Sequence, residues 1–235
     1  MSFPENATVI VVHGAWADGS SWQDVIGPLE SHGLNVIAAP IPLTSHGDDA
    51  AALRRTIART AGPVILAAHA YAGAVIATAS DERVKALVYI AALAPDEGET
   101  VAQVFYKDET HPKAPPKAPQ LAPDADGLIW MPDEGFANAF AQNATPQQLA
   151  LSKAVQRPIS VKSIQEPMPA PAWRSKPTWY LLAEEDRMIN PKTQRFMAER
   201  MKATVKSFAV DHTPLLTAPD KVVDIILEAA KVKIA

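Results

Sequence analysis

The sequence predicts an α/β fold in which one parallel sheet is covered by helices on both faces and interrupted by an inserted segment. Short apolar runs alternate with helix-compatible stretches through residues 1–94. Prolines then become frequent, and the alternation resumes near Thr178. Strands that alternate with helices are typical of a parallel sheet, because each crossover must return the chain to the same end of the sheet. We therefore expect one core, residues 1–94 and 172–235, with a helical, proline-rich cap inserted at 95–171.

Six apolar runs are expected to form the strands of this sheet. They are four to seven residues long and rich in β-branched or other apolar residues, which is typical of buried strands. Such nearly continuous hydrophobicity indicates burial on both faces of the sheet. In chain order the predicted strands are Thr8–Val12, Asn35–Ala38, Val64–Ala68, Val84–Ile90, Thr178–Ala183 and Val205–Val210.

Helices are expected between these strands and inside the cap. One cap helix begins with Thr145 as a capping residue and Pro146 at the first helical position, where proline loses no hydrogen bond. A proline-rich stretch at 111–123 is interpreted as a stiff surface excursion of the cap. The predicted helices are Ser21–Ser31, Asp48–Thr60, Gly73–Ser80, Glu134–Gln142, Thr145–Val155 and a last one after Pro219.

The composition argues against several classes of function. A net charge of −4 and 48% hydrophobic residues are typical of a soluble globular protein and give no electrostatic reason to bind nucleic acid or an anionic membrane. Cysteine is absent, so disulfides, thiolate metal sites and a cysteine nucleophile are excluded. The histidines lack the spacing of a ligand pair, so no metal is expected. Without a leader-like or membrane-spanning apolar segment, the chain is expected to be cytoplasmic. Its oligomeric state stays open.

The most informative motif is Ala68-His69-Ala70-Tyr71-Ala72-Gly73, which has the form of a nucleophile elbow without its nucleophile. It follows the third predicted strand and opens a predicted helix, which is the context that a Gly-x-Ser-x-Gly motif requires. Small residues on either side of the centre allow the strand and the helix to pass closely. The central position is held by Ala70, which has no oxygen with which to attack a substrate.

Two more residues follow predicted strands, at the carboxyl edge of the sheet where the active sites of parallel sheets lie. Asp186 comes after the fifth strand and His212 after the sixth, so both fall with Ala70 at the carboxyl ends of strands. An imidazole can take the proton of an attacking hydroxyl, and a carboxylate can orient that imidazole. Glu184 and Glu185 compete with Asp186 for the acid role, and a solvated loop histidine is the alternative for His212.

Together these motifs resemble the α/β-hydrolases, in particular the branch of plant methyl esterases, hydroxynitrile lyases and small bacterial carboxylesterases. The resemblance covers both halves of the core and leaves the cap largely unmatched. It implies cofactor-free acyl transfer on a small apolar or aromatic ester, or on a related carbamate, amide or lactone. The matching segments are His13–Trp16 with Gly19–Trp22, His69–Gly73, Leu182–Ile189 and Asp211–Pro214.

The resemblance implies a role for each of five residues when it is carried over by position. Ala70 stands where the nucleophilic serine belongs, Asp186 is the acid of the triad, and His212 is the general base. The backbone N–H groups of Ala15 and Tyr71 form the oxyanion hole.

The substrate pocket is expected to be lined by aromatic and other apolar side chains of the cap and of the first loop. Ordinary packing of the cap onto the core is the alternative for each cap residue. The candidate pocket residues are Trp16, Trp130, Met131, Phe136 and Phe140.

Three hypotheses of function follow from Ala70. In the first, the chain is a serine carboxylesterase seen as an inactive Ser-to-Ala variant, such as one made to hold an intact substrate. In the second, the alanine is native and the chain is a ligand-binding pseudoenzyme or receptor. In the third, the chain is a lyase or another cofactor-free enzyme that uses His212 as a base.

Overall fold

Residues 4–106 and 119–231 are described by the structure, which is a computed structural model of the chain. The predicted excursion at 111–123 therefore lies mostly outside the described residues. These described residues contain eight strands, six in the main sheet and two in a small antiparallel pair. They are β1 (Thr8–Val12), β2 (Asn35–Ala39), β3 (Val64–His69), β4 (Val84–Ile90), β5 (Leu128–Ile129), β6 (Ile159–Ser160), β7 (Thr178–Ala183) and β8 (Thr204–Phe208).

The main sheet has the order β2-β1-β3-β4-β7-β8, and every neighbouring pair is parallel. The fold class predicted from the sequence is thereby confirmed. Central strands are buried on both faces, as their continuous hydrophobicity requires. In β1, Val9 and Val11 pack into one core cluster, while Ile10 and Val12 pack into the cluster on the opposite face. This alternation follows from the two-residue period of a strand.

Helices cover both faces of the main sheet. On one face lie α1 and α10, whose buried residues share a cluster with Val9 and Val11. On the other face lie α2, α3 and α8, whose buried residues join Ile10 and Val12. The α-helices are α1 (Gln23–Ser31), α2 (His46–Ala58), α3 (Ala72–Ile76), α4 (Val101–Phe105), α5 (Asp133–Gly135), α6 (Pro146–Ala154), α7 (Val161–Gln165), α8 (Pro191–Arg200), α9 (Pro214–Thr217) and α10 (Pro219–Ala230).

The segment between β4 and β7 holds α4 to α7 and the small β5-β6 pair. Helix α6 begins as expected, with Thr145 capping the helix and Pro146 at its first position. The helix predicted over Glu134–Gln142 is instead a short α5 followed by a π-helical turn, Phe136–Phe140. The wider turn places three aromatic or small residues against the core, and this packing overrides the local helix periodicity.

The two ends of this segment are fastened to each other and to the core. Gly98 N–H donates to the Met168 carbonyl, and Met168 N–H donates to the Glu99 carbonyl, both at 2.9 Å. Arg200 of α8 donates from Nη1 to both oxygens of the Glu99 carboxylate, at 2.9 and 3.0 Å. Hydrogen bonds between oppositely charged groups are stronger than those between neutral groups. The proposed domain boundaries at residues 95 and 171 stay a prediction.

Among the described residues, no helix combines the length and the apolar character that crossing a bilayer would need.

Candidate active site

The turn between β3 and α3 presents Ala70 to the carboxyl edge of the sheet. Ala70 has a φ of +51°, in the left-handed region that non-glycine residues seldom adopt. Its N–H donates to the Ile90 carbonyl at 3.3 Å, and its carbonyl accepts from Leu93 N–H at 2.9 Å. Strained backbone of this kind persists where neighbours fix it, and it clusters at functional sites. The structure therefore gives position 70 the geometry of an elbow.

Two glycines allow the segments around the elbow to approach one another. A Cβ on Gly73 would lie 2.3 Å from the Leu93 carbonyl oxygen, so α3 can cross β4 only with glycine there. A Cβ on Gly14 would lie 3.0 Å from the Cβ of Ala70. The loop after β1 therefore passes directly over position 70.

Asp186 and His212 form a buried pair beside this elbow. His212 Nδ1 and Asp186 Oδ2 are 2.8 Å apart, and both residues are almost fully buried. A carboxylate can only accept, so the imidazole proton lies on Nδ1 and leaves a lone pair on Nε2. Among the described residues Nε2 has no hydrogen-bond partner, and the ring borders the cavity over Ala70.

Three N–H groups besides His212 hold the Asp186 carboxylate. Met188 N–H and Ile189 N–H donate to Oδ1 at 2.7 and 2.9 Å, and the Gln194 amide donates to Oδ2 at 2.8 Å. A buried carboxylate is costly unless its oxygens are paired in this way. These donors also fix the direction in which Asp186 meets His212.

The His212 ring packs against two neighbouring rings. His69 lies with its centroid 4.8 Å from that of His212, and Phe140 lies edge-on at 5.5 Å. His69 Nε2 donates to the His212 carbonyl at 2.8 Å. Burial, with the nearby His212, lowers the pKa of His69 well below its usual value, so it stays neutral. His69 therefore supports the His212 loop from a fully buried position.

Ala15 and Tyr71 lie on the cavity wall on either side of Ala70. Among the described residues, no hydrogen bond from either backbone N–H is formed, as expected at the start of α3 and in a tight loop. Trp16, with a φ of +58°, donates its N–H to the Arg157 carbonyl at 3.0 Å. That bond ties the loop after β1 to the chain between α6 and β6.

A cavity of about 110 Å³ opens over Ala70 and His212. Its side chains are almost all apolar, which favours a small apolar ligand. Two polar groups among them are already paired: the Trp16 indole N–H donates to the Ile129 carbonyl, and the Tyr71 hydroxyl donates to Asp49. The lining residues are Ala15, Trp16, Ala70, Tyr71, Leu93, Val101, Ala102, Phe105, Tyr106, Leu121, Ile129, Ile159, Ile164, Met188, Ile189 and His212.

Only one of the five candidate pocket residues borders this cavity. Trp16 does, but Met131, Phe136 and Phe140 are buried in a separate cluster that packs the cap onto the core. Trp130 is 48% exposed and donates its indole N–H to Asp124. Ile129, the last residue of β5, is buried and borders the cavity in place of Trp130.

A second carboxylate near the elbow could not be recognised from the sequence. Asp49 of α2 is fully buried, accepts the Tyr71 hydroxyl at 2.6 Å and accepts Leu43 N–H at 2.7 Å. Burial raises the pKa of Asp49 to about 6, against the opposing effect of the Tyr71 hydrogen bond. Its contact with Tyr71 spans 22 residues of sequence, so no local motif reveals it.

No cluster of three or more candidate metal ligands occurs among residues 4–106 and 119–231.

A parallel sheet with a strained elbow at the end of β3 and an Asp–His pair after its last two strands is the arrangement of the α/β-hydrolases. The family comparison agrees, since residues 9–225 match the model of the alpha/beta hydrolase family. The chain belongs to this family.

Similarity to individual proteins is low in sequence and high in fold. The chain is 24% identical over 248 residues to the alpha/beta hydrolase nvfD of Aspergillus novofumigatus, which covers 94% of this chain and 96% of that protein. The structure of polyneuridine aldehyde esterase matches with a TM-score of 0.81 at 20% identity, covering 95% and 99%. A pyrethroid hydrolase of Sphingobium faniae JZ-2 matches with a TM-score of 0.82 at 21% identity, covering 96% and 98%. These structures share the fold of this chain, and the two proteins are an esterase and a hydrolase.

Proposed function

We propose that this site is that of a serine carboxylesterase in which Ala70 occupies the position of the nucleophile. The observation that carries the proposal is the buried Asp186–His212 pair beside the positive-φ elbow, with both facing one apolar cavity. An Asp–His pair held this firmly is needed when an imidazole must accept a proton in a fixed tautomer.

The reaction would proceed through an acyl-enzyme when a serine stands at position 70. His212 Nε2 takes the proton of the serine hydroxyl, which attacks the carbonyl carbon of the ester. The N–H groups of Ala15 and Tyr71 stabilise the tetrahedral oxyanion, and His212 then protonates the departing alcohol. A water molecule, activated by His212, releases the acid. Asp186 keeps the imidazole oriented and stabilises its cation through both steps.

With alanine at position 70 the covalent route is closed, whereas the binding site keeps its shape. The chain as it stands is therefore proposed to bind its substrate without forming an acyl-enzyme. The apolar lining favours a small apolar or aromatic ester, or a related carbamate, amide or lactone.

The test is to restore the hydroxyl. We expect Ala70→Ser to hydrolyse short and aromatic 4-nitrophenyl esters at least about 10³-fold faster than the Ala70 chain, since one missing triad member costs this much or more. His212→Ala in the serine background should return the rate to that of the Ala70 chain. As a matched control, Ala17→Ser adds a hydroxyl to a buried alanine in the loop after β1, outside the lining of this cavity, and it should leave ester turnover unchanged.

Two outcomes would overturn the proposal. One is a folded Ala70→Ser variant that turns over no ester, amide or lactone. The other is an Ala70 chain that hydrolyses esters as fast as the serine variant, since position 70 would then have no part in the reaction. A native binding protein would instead bind an intact ester and stay inactive after the serine is introduced.

A further inference from the structure

With alanine at position 70, His212 is the basic side chain that faces the cavity. Its Nδ1 is committed to Asp186 at 2.8 Å, so the lone pair of Nε2 is the available base. In an esterase, a serine hydroxyl would occupy the space between this nitrogen and the substrate. Here nothing longer than a methyl group stands at position 70, so a bound ligand can reach the imidazole directly.

The His212 imidazole and the backbone amides of Ala15 and Tyr71 are suited to removing a proton from a carbon atom. If a ketone binds with its oxygen on the Ala15 and Tyr71 amides, its α-carbon lies one bond from the carbonyl carbon that an ester would present. The base and the oxyanion donors then face the two atoms whose charge changes when an enolate forms. Donors aimed at developing negative charge are the strongest electrostatic element of such sites.

We infer that this chain, as it stands, catalyses proton transfer at the α-carbon of small apolar ketones, with His212 as the catalytic base. In this step the α C–H bond breaks and its electron pair forms the C=C bond of the enolate. The carbonyl π pair moves onto oxygen, and the proton lies on Nε2. When Nε2 returns a solvent-derived proton to the same carbon, the ketone has exchanged a hydrogen with solvent. When the proton goes to a conjugated γ-carbon instead, the product is an isomer. The reaction needs no oxidant, reductant or second substrate.

An imidazole is a weak base, which limits the ketones that it can deprotonate. The α C–H must be activated by a neighbouring aryl or vinyl group, and the apolar cavity favours those same groups. The inference shares the oxyanion donors with the proposed function, but it does not need a nucleophile at position 70.

Direct attack by a water molecule that His212 activates is the competing reaction. A bound water needs two to four polar partners. Once a ligand oxygen uses the two amides, His212 Nε2 is the only unpaired polar side-chain atom in the interior of the described cavity wall. The indole of Trp16 and the hydroxyl of Tyr71 are already paired, and Tyr106 is 62% exposed. A ketone that places its α-carbon against Nε2 therefore excludes an attacking water from this nitrogen.

The experiment is deuterium exchange in the unaltered chain, with phenylacetone as the probe. Loss of the benzylic proton signal in D2O is followed by ¹H NMR against buffer alone. A positioned base contributes about 10²- to 10⁴-fold, and an oxyanion donor about 10²- to 10³-fold, so we expect acceleration on the order of 10⁴-fold or more. The rate should saturate with probe concentration, as binding in the cavity requires.

Matched variants assign the exchange to His212. His212→Ala should abolish the acceleration, and Asp186→Asn should lower it, since the amide can no longer hold the imidazole tautomer. His32→Ala is the control, because His32 lies exposed at the end of α1 and far along the chain from the site. Circular dichroism of each variant establishes that it is folded. Exchange that persists in a folded His212→Ala variant, or exchange no faster than buffer in the unaltered chain, would overturn the inference.

The Ala70→Ser variant separates this inference from the proposed function. Ester turnover by that variant without ketone exchange in the unaltered chain would refute the inference alone. Ketone exchange in the unaltered chain without ester turnover by the variant would refute the proposed function alone. If both hold, exchange should be slower in the serine variant, because the hydroxyl would then stand between His212 and the ligand.

Discussion

The side chain at position 70 is presented to the cavity by its backbone, whatever residue stands there. A non-glycine residue in the left-handed region costs about 1 to 2 kcal/mol, and Ala70 is held there by bonds to Ile90 and Leu93. Serine and alanine share the Cβ that causes this strain. Replacing Ala70 with serine should therefore change the chemistry of the site with little change in stability.

The carboxyl group of Asp49 is expected to make the unfolding free energy of the chain depend on pH. Its pKa is about 6 in the folded chain and near 3.9 when unfolded. The folded state therefore holds the proton more tightly, and this contribution to stability is present below pH 4 and lost as pH rises through 6. We expect the difference in unfolding free energy between the unaltered chain and Asp49→Asn to change by about 2 to 3 kcal/mol between pH 4 and 7. Urea denaturation at each pH measures it.

The neighbouring Asp48 is the control for this measurement. Asp48 is exposed, and hydrogen bonds from Ser45 and Thr44 lower its pKa. Asp48→Asn should therefore show a pH dependence of the opposite sign. A pH profile of Asp49→Asn that parallels that of the unaltered chain would contradict the role given to Asp49.

Single residues were predictable where strand order alone places them. Ala70, Asp186 and His212 follow strands that end at the same edge of the sheet, so their proximity could be expected from the sequence. Gln194 and Asp49 could not be found in this way, because their contacts depend on how helices pack across the sheet. Which apolar side chains of the cap border the cavity also depends on packing, so the expected pocket residues other than Trp16 lie outside its lining.

At the scale of elements, close approach of α3 to the chain after β4 depends on Gly73. Its missing Cβ would lie 2.3 Å from the Leu93 carbonyl oxygen, which is backbone and cannot move freely. We expect Gly73→Ala to lower the unfolding free energy by about 1 to 3 kcal/mol through overpacking. Denaturant unfolding measures this loss.

Gly27→Ala is the matched control on another helix. Gly27 is exposed in α1, and an added Cβ would meet no heavy atom within 4 Å apart from its chain neighbours. The helix propensity gained with alanine is opposed by the contact of its Cβ with the following Pro28, so this variant should change the unfolding free energy by no more than about 0.5 kcal/mol. Equal effects of the two substitutions would contradict the close approach at Gly73.

A second contact between elements ties the cap to the loop that carries His212. Asp211 accepts Asn143 N–H at 3.0 Å and the Thr217 hydroxyl at 2.6 Å. Asp211→Ala leaves both donors without this partner, so we expect a loss of about 1 to 3 kcal/mol in unfolding free energy. Asp224→Ala, an exposed carboxylate on α10, should change it by no more than about 0.5 kcal/mol. A loss no larger than that of the control would show that Asp211 does not fasten the cap.

The elements of the core could be predicted more fully than those of the cap. Core strands are buried on both faces, so nearly all of their residues are apolar and the strands can be recognised as continuous apolar runs. The cap instead consists of short turns of helix whose form is set by what they pack against. The two-residue strands β5 and β6 therefore left no periodic signal, and the π-helical turn at Phe136–Phe140 lies within a pattern that predicts an α-helix.

At the scale of the whole molecule, the fold brings together residues that lie more than a hundred positions apart. Position 70 follows β3, Asp186 follows β7 and His212 follows β8, and the cap is inserted between the first and the other two. Parallel pairing follows from the alternation of strands and helices, which is why the fold class could be predicted. The cap surface over the cavity could not, since its elements are short.

Covalent labelling of position 70 tests most directly whether this is the nucleophile position. The Ala70→Ser variant and the unaltered chain are each treated with a fluorophosphonate probe, and the labelled peptide is located by mass spectrometry. We expect the variant alone to gain one label, at position 70, and to lose it when His212 is also replaced by alanine. A folded serine variant that takes no label at position 70, or an unaltered chain labelled elsewhere in the cavity to the same extent, would contradict the assignment of the site.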